Sequence, residues 1–434
     1  MIRLAYFLRV LGLALLASRL NAAPKLTRGP YLQLPTTNSM VIRWRTDRTA
    51  KGMIHYGLSL DNLTNQTDHA GQLTEHVVQL AKLKPNTRYW YSLWTETNRC
   101  LLAATNACSF VTPPIPGTVQ PTRIWVIGDA GTGIKAQAAA RDVFYAEHRR
   151  FPASAWLLLG DNAYPTGTDA EFQRNHWNVY AWIARQVPIF PALGNHDALH
   201  ADSPTQSGPY YDMFTLPTMA QCGGLPSGTE AYYSFDWANA HFVCLDSEDT
   251  DRSKNGAMAE WLRADLSATD RDWLIAYFHH PPYTKGSHDS DNKDDSGGRM
   301  KEMRENFLPI LEAYGVDLVL SGHSHCYERS YLLDGHYGES KTLKPEHFKS
   351  RASGRPDLDG EYEKSAGLTP HQGTIYLVDG CSGHATGGRL NHPAMWVSLN
   401  KVGTVVLDIE GLELKSRFLT DKGDLQDYFT LRKR

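Results

Sequence analysis

No stretch of this 434-residue chain stays apolar long enough to cross a bilayer, which needs about 20 such residues, so stable membrane insertion is not expected. Excess positive charge is missing too. With 44 Lys and Arg against 47 Asp and Glu the formal net charge is −3, which removes any global electrostatic case for nucleic acid. Glycine and proline, at 35 and 23 residues, are too few for a collagen-like or low-complexity chain. No CxxC pair occurs, which argues against a cysteine zinc site, and no GxSxG elbow points to a serine nucleophile. Internal repeats are absent. What is plentiful is histidine, at 18 residues, the commonest metal ligand and the usual acid–base group near neutral pH.

Residues 1–23 read as a signal peptide. Arg3 and Arg9 give a positive start, Val10 to Ala17 is a short apolar run, and Ala22 and Ala23 offer small residues for cleavage. The implied destination is periplasmic or extracellular, as a secreted protein, and losing Arg3, Arg9 and Arg19 leaves the mature chain more acidic. An even count of six cysteines in an exported chain permits three disulfides. Cys100 and Cys108 are close enough to bracket a hairpin, and Cys222–Cys244 and Cys326–Cys381 are the simplest remaining pairs.

Residues 24–112 alternate apolar and polar positions in short runs, such as Met40–Trp44, His76–Leu80 and Tyr89–Trp94, broken by turn formers such as Lys84–Thr87. This pattern predicts an all-β sandwich. Residues 113–121 are proline-rich and read as a stiff linker. From 122 to 434 buried-strand runs alternate with helical stretches, among them Ile134–His148 and Arg299–Tyr314, the pattern of a layered α/β unit. Within it, the polar segment 333–372 reads as a long surface loop, and strands return at Gly403–Ile409, Leu412–Leu419 and Tyr428–Leu431.

Chemistry is concentrated where the strands end. Arg123–Ile127 runs into Gly128-Asp129-Ala130-Gly131, and Ala155–Leu159 into Gly160-Asp161-Asn162-Ala163-Tyr164. Pro188–Leu193 leads to Gly194-Asn195-His196-Asp197, Trp273–Phe278 to His279-His280-Pro281, and Val316–Ser321 to Gly322-His323-Ser324-His325. Sites in open α/β sheets lie beyond the carboxyl ends of strands, so these five tips can converge. A glycine before the polar residue lets the backbone turn sharply. Hard oxygen donors, neutral imidazoles and a carboxylate able to bridge are what a pair of metal ions needs.

The ordered set GDxG, GDxxY, GNH(D/E), a histidine in HxP context, then GHxH resembles the purple acid phosphatases of the metallophosphoesterase superfamily. The resemblance implies a four-layer α/β/β/α calcineurin-like catalytic unit at 122–434 behind a fibronectin-III-like sandwich at 24–112. It implies Fe(III) on Asp129, Asp161, Tyr164 and His325. A divalent ion (Zn, Fe or Mn) would share Asp161 and take Asn195, His279 and His323. His280 stands next to His279, so either could be the ligand; His279 keeps the HxP register. His196 and His288 match outer histidines that hold phosphate and protonate the leaving group, with a metal-held hydroxide as nucleophile. The Tyr164 phenolate favours trivalent iron and implies a purple charge-transfer colour. Small phosphate monoesters are the implied substrates, hydrolysed at acid pH; the alternatives are a diesterase or nucleotidase of the same superfamily, or a surface-binding protein whose enzyme domain is vestigial, which would be expected to have lost a ligand. Asp289, Asp291, Asp294 and Asp295 make the loop after His288 acidic, read as a solvated face.

Overall fold

The computed structural model describes residues 23–434. The signal-peptide reading therefore lies outside the described residues, Ala23 excepted. Among the described residues no helix is long and apolar enough to cross a membrane.

The first unit is a sandwich of two antiparallel sheets. One holds β1 (Leu26–Thr36), β2 (Ser39–Ala50) and β5 (Leu73–Leu80). The other holds β3 (Gly52–Gly57), β4 (Asn65–Asp68), β6 (Arg88–Thr95), β7 (Cys100–Leu102) and β8 (Ser109–Val111). Alternation sets the inner face: Met40, Ile42 and Trp44 from β2 pack with Val78 and Leu80 from β5 and Tyr89, Tyr91 and Leu93 from β6. The proline-rich connection is seated rather than free, since Gly117 donates its N–H to the Ala238 carbonyl.

Two seven-stranded sheets form the second unit. The first contains parallel β9 (Thr122–Ile127), β10 (Ala155–Leu158) and β11 (Ile189–Pro191), then the antiparallel meander β22 (Gly403–Glu410), β23 (Glu413–Thr420) and β24 (Leu425–Lys433) on the other side of β9. The second begins with β12 (Tyr233–Trp237), antiparallel to β13 (Ala240–Cys244). Parallel β14 (Trp273–Tyr277), β15 (Leu318–Ser321) and β20 (Ile375–Asp379) follow, and β16 (Tyr327–Ser330) and β21 (Met395–Leu399) close it. Stacked rings join the sheets: Phe190 of β11 lies 3.7 Å from Phe235 of β12, and Tyr327 of β16 4.0 Å from Phe418 of β23. The helix Lys135–Arg150 covers β22 and β23 and places Phe144 4.1 Å from Trp125.

Two sequence expectations need correcting. The segment 333–372 is not simply a surface loop. It pairs β17 (Leu332–Leu333) with β18 (Phe348–Ser350) and supplies β19 (Tyr362–Lys364), the edge of the first large sheet. Its polar composition concealed buried partners: Arg329, inside the core, donates to the Ser353 carbonyl and the Tyr362 hydroxyl. All six cysteines are free, so none of the three expected disulfides is present. Their sulfurs have other neighbours: Cys244 donates to the Pro191 carbonyl, Cys381 to Asp379, and Cys326 lies by the Ser324 hydroxyl. Cys108 takes the Thr105 hydroxyl, while Cys100 is exposed.

The sandwich is tied to the second unit by charge and by rings. Tyr31 of β1 stacks on Trp177 at 4.0 Å and donates to the Met213 carbonyl. Arg28, buried, and Arg45 both donate to Asp169, at 2.8 Å and 2.6–2.7 Å. Asp169 opens a helical turn capped by Thr168 and Glu171, five residues after Tyr164.

Candidate metal centre

The five strand tips meet in one place. β9, β10 and β11 deliver Asp129, Asp161, Tyr164 and Asn195 from the first large sheet, and β14 and β15 deliver His279, His323 and His325 from the second. Asp129, Asp161 and His323 each have left-handed backbones, at φ 53°, 53° and 65°. Such conformations cost a non-glycine residue about 1–2 kcal/mol and gather at functional sites. Here they turn each side chain back across its own strand end. Gly194 is required by crowding, because a Cβ there would stand 2.1 Å from the Asp161 nitrogen.

On one side, the Tyr164 hydroxyl lies 3.0 Å from Asp129 Oδ1, 2.8 Å from Asp161 Oδ2 and 3.3 Å from His325 Nε2. On the other, His279 Nε2 and His323 Nδ1 are each 2.9 Å from Asn195 Oδ1 and 3.1 Å from one another. Asp161 lies between, its Oδ1 3.5 Å from His279 Nε2. Ligands about 2.0–2.2 Å from a common cation stand about 3.0–3.5 Å apart, so both spacings suit an ion.

The proton inventory makes the same point. His279 Nδ1 donates to the Leu159 carbonyl at 2.8 Å, leaving a lone pair on Nε2. The Ser296 hydroxyl donates to Asp295 and accepts from His323 Nε2 at 2.6 Å, leaving a lone pair on His323 Nδ1. Two lone pairs therefore face one another across 3.1 Å. One phenolic proton on Tyr164 faces two carboxylates and an imidazole. Burial, with Asp161 alongside, pushes the Asp129 carboxyl up to about 8, and burial with both carboxylates holds the Tyr164 phenol well above its ordinary range. Each conflict is relieved by positive charge between the donors, so the residues present fit a pair of cations.

The outer residues divide by place. His196 packs on the Tyr164 ring at 4.4 Å and donates from Nδ1 to the Pro165 carbonyl. His288 stacks on His323 at 3.9 Å and donates from Nδ1 to Asp295 at 2.8 Å. His280 is buried against the Ser247 hydroxyl and Glu248, so it is His279 that faces Asn195. The acidic loop is solvated only in part: Asp294 is exposed, but Lys285 pairs with Asp289 and Asp291, and Asp295 holds His288.

Sequence reasoning missed three positions. Asp197 received no role, yet its carboxylate accepts the N–H groups of Asn162, Ala163 and Gly194 and the Asn162 amide, binding two ligand turns together. Ser296 gave no signal; its left-handed backbone, φ 53°, turns its hydroxyl to His323. His384 follows β20 directly behind Gly383, as Asp129, Asp161, Asn195 and His323 stand directly behind glycines at four of the other tips, and lies 4.0 Å from the His325 ring.

Known proteins carry the same architecture. The calcineurin-like phosphoesterase family profile matches residues 122–327, and that of the purple acid phosphatase N-terminal domain matches residues 28–112. This chain carries the N-terminal domain of the purple acid phosphatases ahead of a calcineurin-like phosphoesterase domain. Among curated relatives, purple acid phosphatase 23 of Arabidopsis thaliana is 28% identical over 286 residues, covering 60% of this chain and 59% of its own length. Purple acid phosphatase 15 from the same plant is 28% identical over 331 residues, covering 68% of this chain and 58% of its own. The chain thus spans under two thirds of both relatives. A solved purple acid phosphatase from yellow lupin (Lupinus luteus) seeds shares the fold with a TM-score of 0.69 at 19% identity, over 94% of this chain and 74% of that one. The structure of PhoD gives a TM-score of 0.63 at 14% identity, over 93% and 90%. The fold is therefore a β-rich N-terminal unit followed by a calcineurin-like metallophosphoesterase unit.

Proposed function

We propose that the chain is an exported acid phosphatase hydrolysing phosphate monoesters at a dinuclear centre of Fe(III) and a divalent ion. The observation that carries this reading is the pair of donor sets meeting at Asp161: Asp129, Tyr164 and His325 on one side, Asn195, His279 and His323 on the other. The two domain matches and the similarity to purple acid phosphatases support it. The division at the 113–121 linker and the leader at 1–23 belong to the same reading.

When bound, the cations polarise the phosphoryl oxygens and acidify a water. The chain's own groups do the rest. Asp161 presents one oxygen to each side. Tyr164 offers the hard, electron-rich donor that favours a trivalent ion. His288 and His196, each with Nδ1 committed to an acceptor, keep Nε2 for a substrate oxygen and for returning a proton to the leaving alcohol. An acid optimum belongs to the same reading.

The test is turnover of a mono-substituted against a bis-substituted aryl phosphate by the iron- and zinc-loaded protein. Monoester preference with loss of turnover in Asp161→Ala and His323→Ala is expected, and activity retained in both variants would overturn the dinuclear reading. Tyr164→Phe should remove the visible charge-transfer band. A loaded wild type without that band would exclude the tyrosinate.

A further inference from the structure

Besides the residues already given roles, one imidazole at the mouth of the site has no structural occupation. His384 is half-buried, its Nδ1 has no partner, and neither ring nitrogen makes a hydrogen bond among the described residues. An unpaired buried nitrogen is destabilising, so such a group calls for an explanation. The ring does not hold its own loop in place, because the backbone already does. Ser382 N–H donates to the Gly128 carbonyl at 3.2 Å, Thr386 N–H to the His325 carbonyl at 3.0 Å, and the Thr132 hydroxyl to the Gly383 carbonyl at 3.4 Å. Gly383 sits so close to the Asp129 turn that a Cβ would stand 2.3 Å from the Asp129 oxygen. The segment is clamped between two ligand-bearing turns and projects an idle imidazole beside them.

Its neighbours define what it can meet. The ring is 4.0 Å from that of His325 and 5.7 Å from that of Tyr164, whose ring also carries His196 at 4.4 Å. Two imidazoles thus flank Tyr164, while His288 stands over His323 at the other end. An anion lying across the donor sets meets His288 on one side and has an oxygen left over on the Tyr164 side.

We propose that His384 is a phosphate-binding residue, its ring N–H donating to a peripheral phosphoryl oxygen of the bound ester and of the released phosphate on the Tyr164–His325 side. The assignment rests on the phosphoesterase reading above.

Calorimetric titration of the iron- and zinc-loaded mature protein with inorganic phosphate tests it, with metal content measured on each sample. His384→Ala should bind phosphate about tenfold more weakly at unchanged metal content, one hydrogen bond to an anion being worth about 1.5 kcal/mol. His384→Gln, which keeps an N–H donor, should recover most of that loss. Wild-type phosphate affinity in His384→Ala overturns the assignment, and so does loss of metal from both variants, which would make His384 a support for His325. A wild type that holds its metals and binds no phosphate would instead refute the phosphoesterase reading, and this assignment with it.

Discussion

Asp197→Ala is the perturbation whose size the structure defines best. The Asp197 carboxylate, with no exposure, accepts three backbone N–H groups, from Asn162, Ala163 and Gly194, besides the Asn162 side-chain amide. Alanine leaves those three donors in the core with nothing to accept them. At about 1–3 kcal/mol for each unpaired buried group, the gross cost is roughly 3–9 kcal/mol. Part is returned, because burial and the neighbouring Asp161 push the Asp197 carboxyl up to about 8, and its removal ends that conflict. The net loss falls near the lower end, about 3–4 kcal/mol, a large share of a typical total of about 5–15 kcal/mol. The same bonds set the turns carrying Asp161 and Asn195, so metal affinity should also fall by about 10- to 100-fold. Urea unfolding of the metal-free protein reads the first effect and competition with a chelator reads the second. Wild-type stability together with wild-type metal retention would refute the argument that this carboxylate ties the two turns together.

Further consequences can be read from other positions. Ser296→Ala removes the acceptor from His323 Nε2, so metal retention against a chelator should weaken by about tenfold; unchanged retention would mean that His323 needs no outer partner. Hydrogen bonds from Arg45, joined by those from Arg28, hold the Asp169 carboxyl down to about 2, below its unfolded value of about 3.9. Its stabilising contribution is therefore present above about pH 4 and fades as the pH falls towards 2. The pair is half-exposed, so the amount is about 1 kcal/mol or less. Melting curves of Asp169→Asn should show a shallower acid limb than the wild type, and identical limbs would show that the clamp adds nothing.

The ligand turns were legible because each is short and self-contained. Strand, glycine and polar residue follow one another within a few positions, and the rule that sites gather at carboxyl ends does the rest. Alternation likewise exposed the sandwich, where Met40, Ile42 and Trp44 of β2, Val78 and Leu80 of β5, and Tyr89, Tyr91 and Leu93 of β6 enter its core at every second position. The misses share a cause: their partners are far away in sequence. Arg329, in the core, is neutralised by Asp427, 98 residues away, through a bidentate pair, which no local pattern announces. Tyr362 and Lys364 stand in a polar, glycine-rich stretch, yet they are buried because β19 adds to the end of β24. Asp291 looked solvated for the same reason, as Ser340, which donates its N–H and hydroxyl to that carboxylate, lies 49 residues along the chain.

The donors come from both large sheets: Asp129, Asp161 and Asn195 from one, His279, His323 and His325 from the other. Neither sheet alone completes a coordination set. The gap between the donor sets is therefore a property of the seam, held by contacts such as Phe190 on Phe235 and Tyr327 on Phe418. Cations shared across that seam would act as rivets, and sliding one sheet past the other would pull the coordination spheres apart. The site is in this sense a gauge of the core, and a methylene lost between the sheets would register there before the fold itself gave way.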